Sequence, residues 1–160
     1  ARAEWDAADN VLLYAQAGAR VVLVDADVRR AELTRASGLG TSQSGLREVL
    51  ADVSTVEESL VPAGAHRERL ALVTARPRDD EAVDLLQSSR IEDVVEELKS
   101  HADVVIFDSP PITEVADALS LATTVDAVVL VGVLDPEVVE HGLADLVIGP
   151  VERDGLSTIS

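Results

Sequence analysis

Two hydrophobic runs carry carboxylates to places where α/β folds do chemistry. The first is Val21-Val22-Leu23-Val24-Asp25-Ala26-Asp27-Val28-Arg29, and the second is Val104-Val105-Ile106-Phe107-Asp108-Ser109-Pro110-Pro111. Each reads as a buried parallel strand that delivers acid to its C-terminal end, where open α/β sheets bind ligands. Aspartates at two such ends can hold Mg²⁺ and a phosphorylated ligand, because a hard cation takes carboxylate oxygens and leaves positions for phosphate. The chain has one lysine, Lys99, and no G-x-x-x-x-G-K-[ST] loop.

Elements that would position these acids alternate along the chain. Residues 5–17 have helical spacing, and Gly18 fits a helix C-cap before strand 21–25. A short helix is expected over 29–36, a loop from Gly38 to Gly45, and a helix over 45–52 from the recurrence of Leu46, Val49, Leu50 and Val53. Ser54-Thr55 suits an N-cap. Leu70 to Thr74 reads as a strand and Arg76 to Asp80 as a turn. Helices follow over 80–87 and 89–100. In the second, Ile91, Val94, Val95 and Leu98 form one apolar stripe, with Glu92, Asp93, Glu96 and Glu97 outside it. Strand 103–108, a helix over about 113–122 and a buried strand from Ala127 to Val131 complete the clear pattern. A helix from Val138 to Leu146 and a strand from Leu146 to Ile148 are weaker expectations. The alternation implies an α/β fold: a mostly parallel, doubly wound sheet with helices on both faces.

Composition narrows the possibilities. At 160 residues, one domain over 1–160 is expected. The apolar share is 47%, yet the aromatic residues are Trp5, Tyr14 and Phe107, so Val, Leu, Ile and Ala must build the core. No cysteine is present, which excludes disulfides and thiolate metal sites. Neither a signal peptide nor a run near the roughly 18–20 apolar residues of a membrane span is visible, so a soluble chain is expected. The net charge of −17 disfavours binding to nucleic acid. With no methionine, initiator included, the chain is expected to be a segment of a longer one.

Taken together, the two runs resemble a matched pair of motifs. Asp25, Asp27 and Arg29 follow the D-x-D-x-R pattern of a Walker A′ strand, and Asp108, Pro110 and Pro111 follow the D-x-P-P pattern of its Walker B partner. The pair is similar to that of the bacterial tyrosine autokinases of capsule and exopolysaccharide synthesis. These are deviant-Walker P-loop ATPases, alongside the MinD and ParA partitioning proteins. Ala15 to Arg20, the G-L-x-x-V-L segment at Ser44 to Leu50, Glu81 to Ser89 and Ala116 to Leu119 also resemble the family, over about residues 10 to 132.

The resemblance implies a Mg²⁺- and ATP-dependent tyrosine autokinase, releasing ADP and regulating polysaccharide export. Asp108 would hold the metal, directly or through water. Asp25 would assist it or accept the proton of an attacking tyrosine hydroxyl. Asp27 would support the site, with Pro110 beside it. Arg29 would organise the loop or contact a neighbouring subunit. The implied partners are a membrane chain-length regulator and further copies of the chain, at the cytoplasmic face of the cell membrane. The departures are specific. The phosphate-loop lysine should fall near Ala3, where Arg2-Ala3-Glu4 stands. The family's Glu followed by two spaced arginines is missing, since Ala7 and Asn10 follow Glu4. Tyr14 is the sole tyrosine. They motivate an alternative, a non-catalytic scaffold or regulator. A partitioning ATPase is a second alternative, against which the D-x-P-P and G-L-x-x-V-L segments weigh. A two-component receiver fits less well: 81 residues from Asp27 to Asp108 are too many.

Other polar residues have plainer readings. His66, His101 and His141 are scattered and suit loops or surfaces. Arg67, Arg69, Arg76 and Arg78 suit a solvated rim, although such a cluster could contact an anion. Asp79-Asp80-Glu81 fits an acid-enriched helix start. Ser109 has no histidine in a recognisable relation to it, which argues against a nucleophile. Asp117 fits either an inward polar residue near the site or a helix-surface acid.

Overall fold

Val21 to Asp25 is a run of β-branched and leucine side chains in which every residue is buried, and it forms the middle of a sheet. The computed structural model describes residues 14–41, 43–110, 121–128 and 149–150. Its strands are β1 (Val21–Asp25), β2 (Leu60–Pro62), β3 (Leu70–Val73), β4 (Val104–Asp108), β5 (Ala127–Val128) and β6 (Gly149–Pro150). Its helices are α1 (Glu32–Ser37), α2 (Leu46–Leu50), α3 (Val56–Ser59), α4 (Asp80–Leu86) and α5 (Arg90–His101). The main sheet has the order β2-β3-β1-β4. β1 runs parallel to both β3 and β4, and β2 is antiparallel on the edge of β3. The fold is the expected α/β class with a mostly parallel sheet.

The two faces of β1 divide the core by the period of two that strands impose. Val22 and Val24 face a cluster built with Leu46, Val49, Leu50, Leu86, Val94 and Leu98 from α2, α4 and α5. Val21 and Leu23 face a smaller cluster with Ala15, Leu70 and Leu72. Each fully buried Val or Leu contributes about 1.5–3 kcal/mol. A single charged substitution at Val24 would reverse that gain at the centre of the sheet. α5 buries Ile91, Val94, Val95 and Leu98 and leaves its glutamates and Lys99 in solvent, as the periodicity requires. Lys99 pairs with Glu96 at 3.0 Å.

Helix ends follow local chemistry. Thr55 caps α3: its Oγ1 accepts the Glu58 N–H at 3.2 Å, and the Glu58 carboxylate accepts the Thr55 N–H at 3.0 Å. Asp79 caps α4 by accepting the Ala82 N–H at 3.1 Å. At the opposite end of the sheet, Arg20 joins the start of β1 to the start of β4 through Asp103 at 2.9 Å.

Three expectations need correction. β4 is half-buried along its length rather than buried, because among the described strands it pairs on one side only. β5 is not a buried strand of the main sheet: Ala127 is exposed, Val128 is half-buried, and both pair antiparallel with β6. β2 was not anticipated, since α3 runs into it without an intervening turn signal. The helices expected over most of 5–17, 113–122 and 138–146, the strand at 146–148, and Pro111, Asp117 and His141 lie outside the described residues.

Candidate functional site

The parallel register places Asp25 directly beside Asp108 at the C-terminal ends of β1 and β4. The Ala26 N–H donates to the Asp108 carbonyl at 2.7 Å, so the two chain ends leave the sheet tied together. The two acids differ in environment. Asp108 is half-buried, whereas Asp25 has no exposed surface.

Asp25 is held chiefly by Thr34. Its Oδ2 accepts the Thr34 backbone N–H at 2.8 Å and the Thr34 hydroxyl at 2.7 Å. The same hydroxyl oxygen accepts the Ala75 N–H at 2.9 Å. Thr34 therefore joins β1, α1 and the segment after β3. The other carboxylate oxygen, Oδ1, is buried without a hydrogen-bond partner among the described residues. Burial pushes the Asp25 carboxyl above its ordinary range. The Thr34 bonds oppose this, and the nearby Asp27 charge adds to it.

Asp27, Arg29 and Pro110 occupy distinct positions. Asp27 is nearly buried, and it fixes the turn that follows. Its Oδ1 accepts the Arg30 N–H at 3.1 Å, and its carbonyl accepts the Ala31 N–H at 2.7 Å. Arg29 is exposed on that turn. Its carbonyl accepts the Arg78 N–H at 3.1 Å, which pins the turn after β3 against the turn after β1. Pro110 is buried just beyond β4, while Ser109 is exposed.

A second polar network anchors the G-L-x-x-V-L segment. The Leu46 N–H donates to the Thr74 carbonyl at 2.9 Å, and a Cβ on Gly45 would stand 2.6 Å from that oxygen. Only glycine permits this approach. Glu48 turns back to accept the Gly45 N–H at 3.0 Å, and it pairs with Arg47 at 2.6 Å and Arg76 at 3.2 Å. Burial raises the Glu48 carboxyl, but the backbone N–H bonds and the two arginines outweigh it and hold it below its ordinary range. Arg47 extends the network to Asp79 at 3.3 Å and Glu81 at 2.9 Å. Thr74 and Ala75, consecutive in the chain, thus receive both helices that flank the aspartate site.

The donor set suits a hard divalent cation. Mg²⁺ is commonly held by one or two carboxylates, with water and phosphate oxygens completing its shell. Asp25 and Asp108 are adjacent, and one buried Asp25 oxygen has no partner among the described residues. Among the described residues no three His, Cys, Asp or Glu side chains gather to enclose an ion. Sequence reasoning singled out Asp25 and Asp108, missed Thr34, read Glu48 only as part of a motif, and gave Arg76 only a place on a solvated rim. Gly45 was read only as part of a motif.

Comparison with known proteins places the chain in a family. The AAA domain family matches residues 10–149. Tyrosine-protein kinase YwqD of Bacillus subtilis (strain 168) is 34% identical over 125 residues, which are 78% of this chain and 52% of YwqD. The putative tyrosine-protein kinase CapB of Staphylococcus aureus is 32% identical over 124 residues, covering 78% of this chain and 53% of CapB. Among solved structures, the chimerical protein CapA2B2 superposes with a TM-score of 0.66 at 27% identity, over 74% of this chain and 51% of that one. The chain spans about half the length of the curated relatives it matches.

Proposed function

Because this chain belongs to the AAA domain family, and within it to the bacterial tyrosine-kinase branch, we propose that the intact protein is a Mg-ATP-dependent tyrosine autokinase of extracellular polysaccharide synthesis. The observation that carries the reading is the side-by-side placement of Asp25 and Asp108, with one buried Asp25 oxygen unpaired among the described residues. Phosphoryl transfer asks the protein for alignment and charge neutralisation more than for covalent chemistry. When bound, Mg²⁺ would neutralise phosphate charge, held at Asp108 with Asp25 alongside. Asp25 is the candidate proton acceptor: the tyrosine oxygen bonds to the γ-phosphorus of ATP, the bond to ADP breaks, and the hydroxyl proton passes to the carboxylate. Thr34 holds one Asp25 oxygen, while the other is buried without a hydrogen-bond partner among the described residues. Asp27 shapes the turn that presents Arg29. Pro110 is buried two residues beyond the end of β4.

Family membership also supports a membrane chain-length regulator as partner and self-association at the cytoplasmic face of the membrane. No helix among the described residues is long and apolar enough to cross a membrane. Anti-phosphotyrosine detection on the intact protein incubated with Mg-ATP tests the reading. Signal in the wild type, lost in Asp25→Asn and Asp108→Asn, is expected. A second reading is a non-catalytic scaffold, motivated by Ala3 standing where the resemblance places the phosphate-loop lysine. Lack of phosphotyrosine together with retained binding to the membrane partner would select it.

A further inference from the structure

Glu48 is a carboxylate buried in helix α2, and its partners grip one dipeptide. Burying a charge is costly unless hydrogen bonds and opposite charge compensate it, so the partners define what it holds. Glu48 accepts the Gly45 N–H at 3.0 Å and pairs with Arg76 at 3.2 Å. Gly45 abuts the Thr74 carbonyl, which also accepts the Leu46 N–H at 2.9 Å. Arg76 directly follows Ala75 in the chain. Glu48 therefore holds Thr74-Ala75 at both ends. The Ala75 N–H donates to the Thr34 hydroxyl at 2.9 Å, and that hydroxyl donates to Asp25 at 2.7 Å. Gly45, Thr74, Ala75, Thr34 and Asp25 are all buried, so water has little room to replace a lost link.

We propose that Glu48 is a positioning residue for the nucleotide site: it fixes Thr74-Ala75, and through the Thr34 hydroxyl it sets where the Asp25 carboxylate sits. The inference rests on the reading of Asp25 and Asp108 as a Mg-ATP site. A hydroxyl has one proton and two acceptor lone pairs. Thr34 gives that proton to Asp25 and accepts from Ala75, so a displacement of Ala75 turns the hydroxyl and disturbs its bond to Asp25. Groups that touch a ligand keep their geometry only when a supporting layer locks them, and a shift of about 1 Å can cost about a hundredfold in rate. A capping role alone needs only the Gly45 bond. Glu58 caps α3 through the Thr55 N–H from an exposed position. Glu48 is instead buried and bound to the arginine that follows Ala75.

The test compares the intact protein with Glu48→Gln, with Arg76→Gln, and with Glu58→Gln as the capping control. Amide hydrogen exchange without nucleotide reads the Ala75 N–H, and calorimetric titration with Mg-ATP reads the site. In Glu48→Gln the Ala75 N–H should exchange roughly tenfold faster, with Val94 in α5 changed far less. Mg-ATP binding, measured where the variant is fully folded, should weaken roughly fivefold, while Glu58→Gln binds as the wild type does. Arg76→Gln removes the more exposed partner and should show the same pattern with about a twofold loss; it serves alone if Glu48→Gln fails to fold. Equal acceleration of Ala75 and Val94, or wild-type Mg-ATP affinity in the folded variants, would overturn the proposal and leave Glu48 a cap of α2. Absence of Mg-ATP binding by the wild type would overturn the nucleotide reading itself, and this proposal with it.

Discussion

Thr34→Val isolates the hydroxyl that holds Asp25. Valine keeps the shape and volume of threonine, so no cavity opens, and both are β-branched. Two hydrogen bonds disappear: the one donated to the Asp25 carboxylate at 2.7 Å and the one accepted from the Ala75 N–H at 2.9 Å. A bond to a charged group contributes about 1.5–3 kcal/mol, and a buried N–H left without a partner costs about 1–3 kcal/mol. The Thr34 backbone N–H still reaches Asp25, which limits the loss. Together these amount to about 2.5–6 kcal/mol, with the lower part of that range expected. Urea unfolding of the intact protein should show a midpoint lowered by more than about 1 M with an unchanged slope. Thr34→Ser retains both bonds and loses one methyl, so its cost should stay near 1 kcal/mol. Equal stabilities for the Val and Ser variants would refute the claim that this hydroxyl ties β1 to the segment after β3.

Further outcomes follow from the same site. Gly45→Ala should destabilise by about 1–3 kcal/mol, because its Cβ meets the Thr74 carbonyl at 2.6 Å. Gly40→Ala has open space but a φ of 71°, so it should cost only about 1 kcal/mol, and thermal melts of the pair test the contrast. The Asp25 carboxyl is raised on folding, so its contribution is favourable below the ordinary carboxylate pKa and is lost as pH rises through the folded value. Asp25→Asn should therefore gain stability relative to wild type between pH 3 and pH 7; a constant difference in urea titrations would contradict this. Glu48 has the opposite sign: held low, it stabilises above the ordinary range and fades as pH falls. Glu48→Gln should destabilise at pH 7 and converge on wild type in acid.

How much of this was legible in the sequence depended on the range of each interaction. α5 could be read to within a residue, because its stripe Ile91, Val94, Val95, Leu98 is a local period. Asp25 and Asp108 could be placed at strand ends because the apolar runs before them stop there. Their adjacency is a matter of strand order, which no local pattern encodes; the paired motifs made it expected only by resemblance. Thr34 was invisible for the same reason. Its partners lie 9 and 41 residues away, and a threonine inside a short helix carries no signal of either. The half-burial of β4 also follows from strand order rather than composition, since Val-Val-Ile-Phe reads as buried wherever it stands. β2 is three residues long and directly follows a capped helix, leaving no room for a period of two to show.

The central claim is that Asp25 and Asp108 form a site for Mg-ATP. Calorimetric titration of the intact protein with Mg-ATP, run beside Asp108→Asn, tests it most directly. The account predicts binding by the wild type that the variant weakens by roughly tenfold or more. Absence of binding by a folded wild type, or equal binding by the variant, would contradict it.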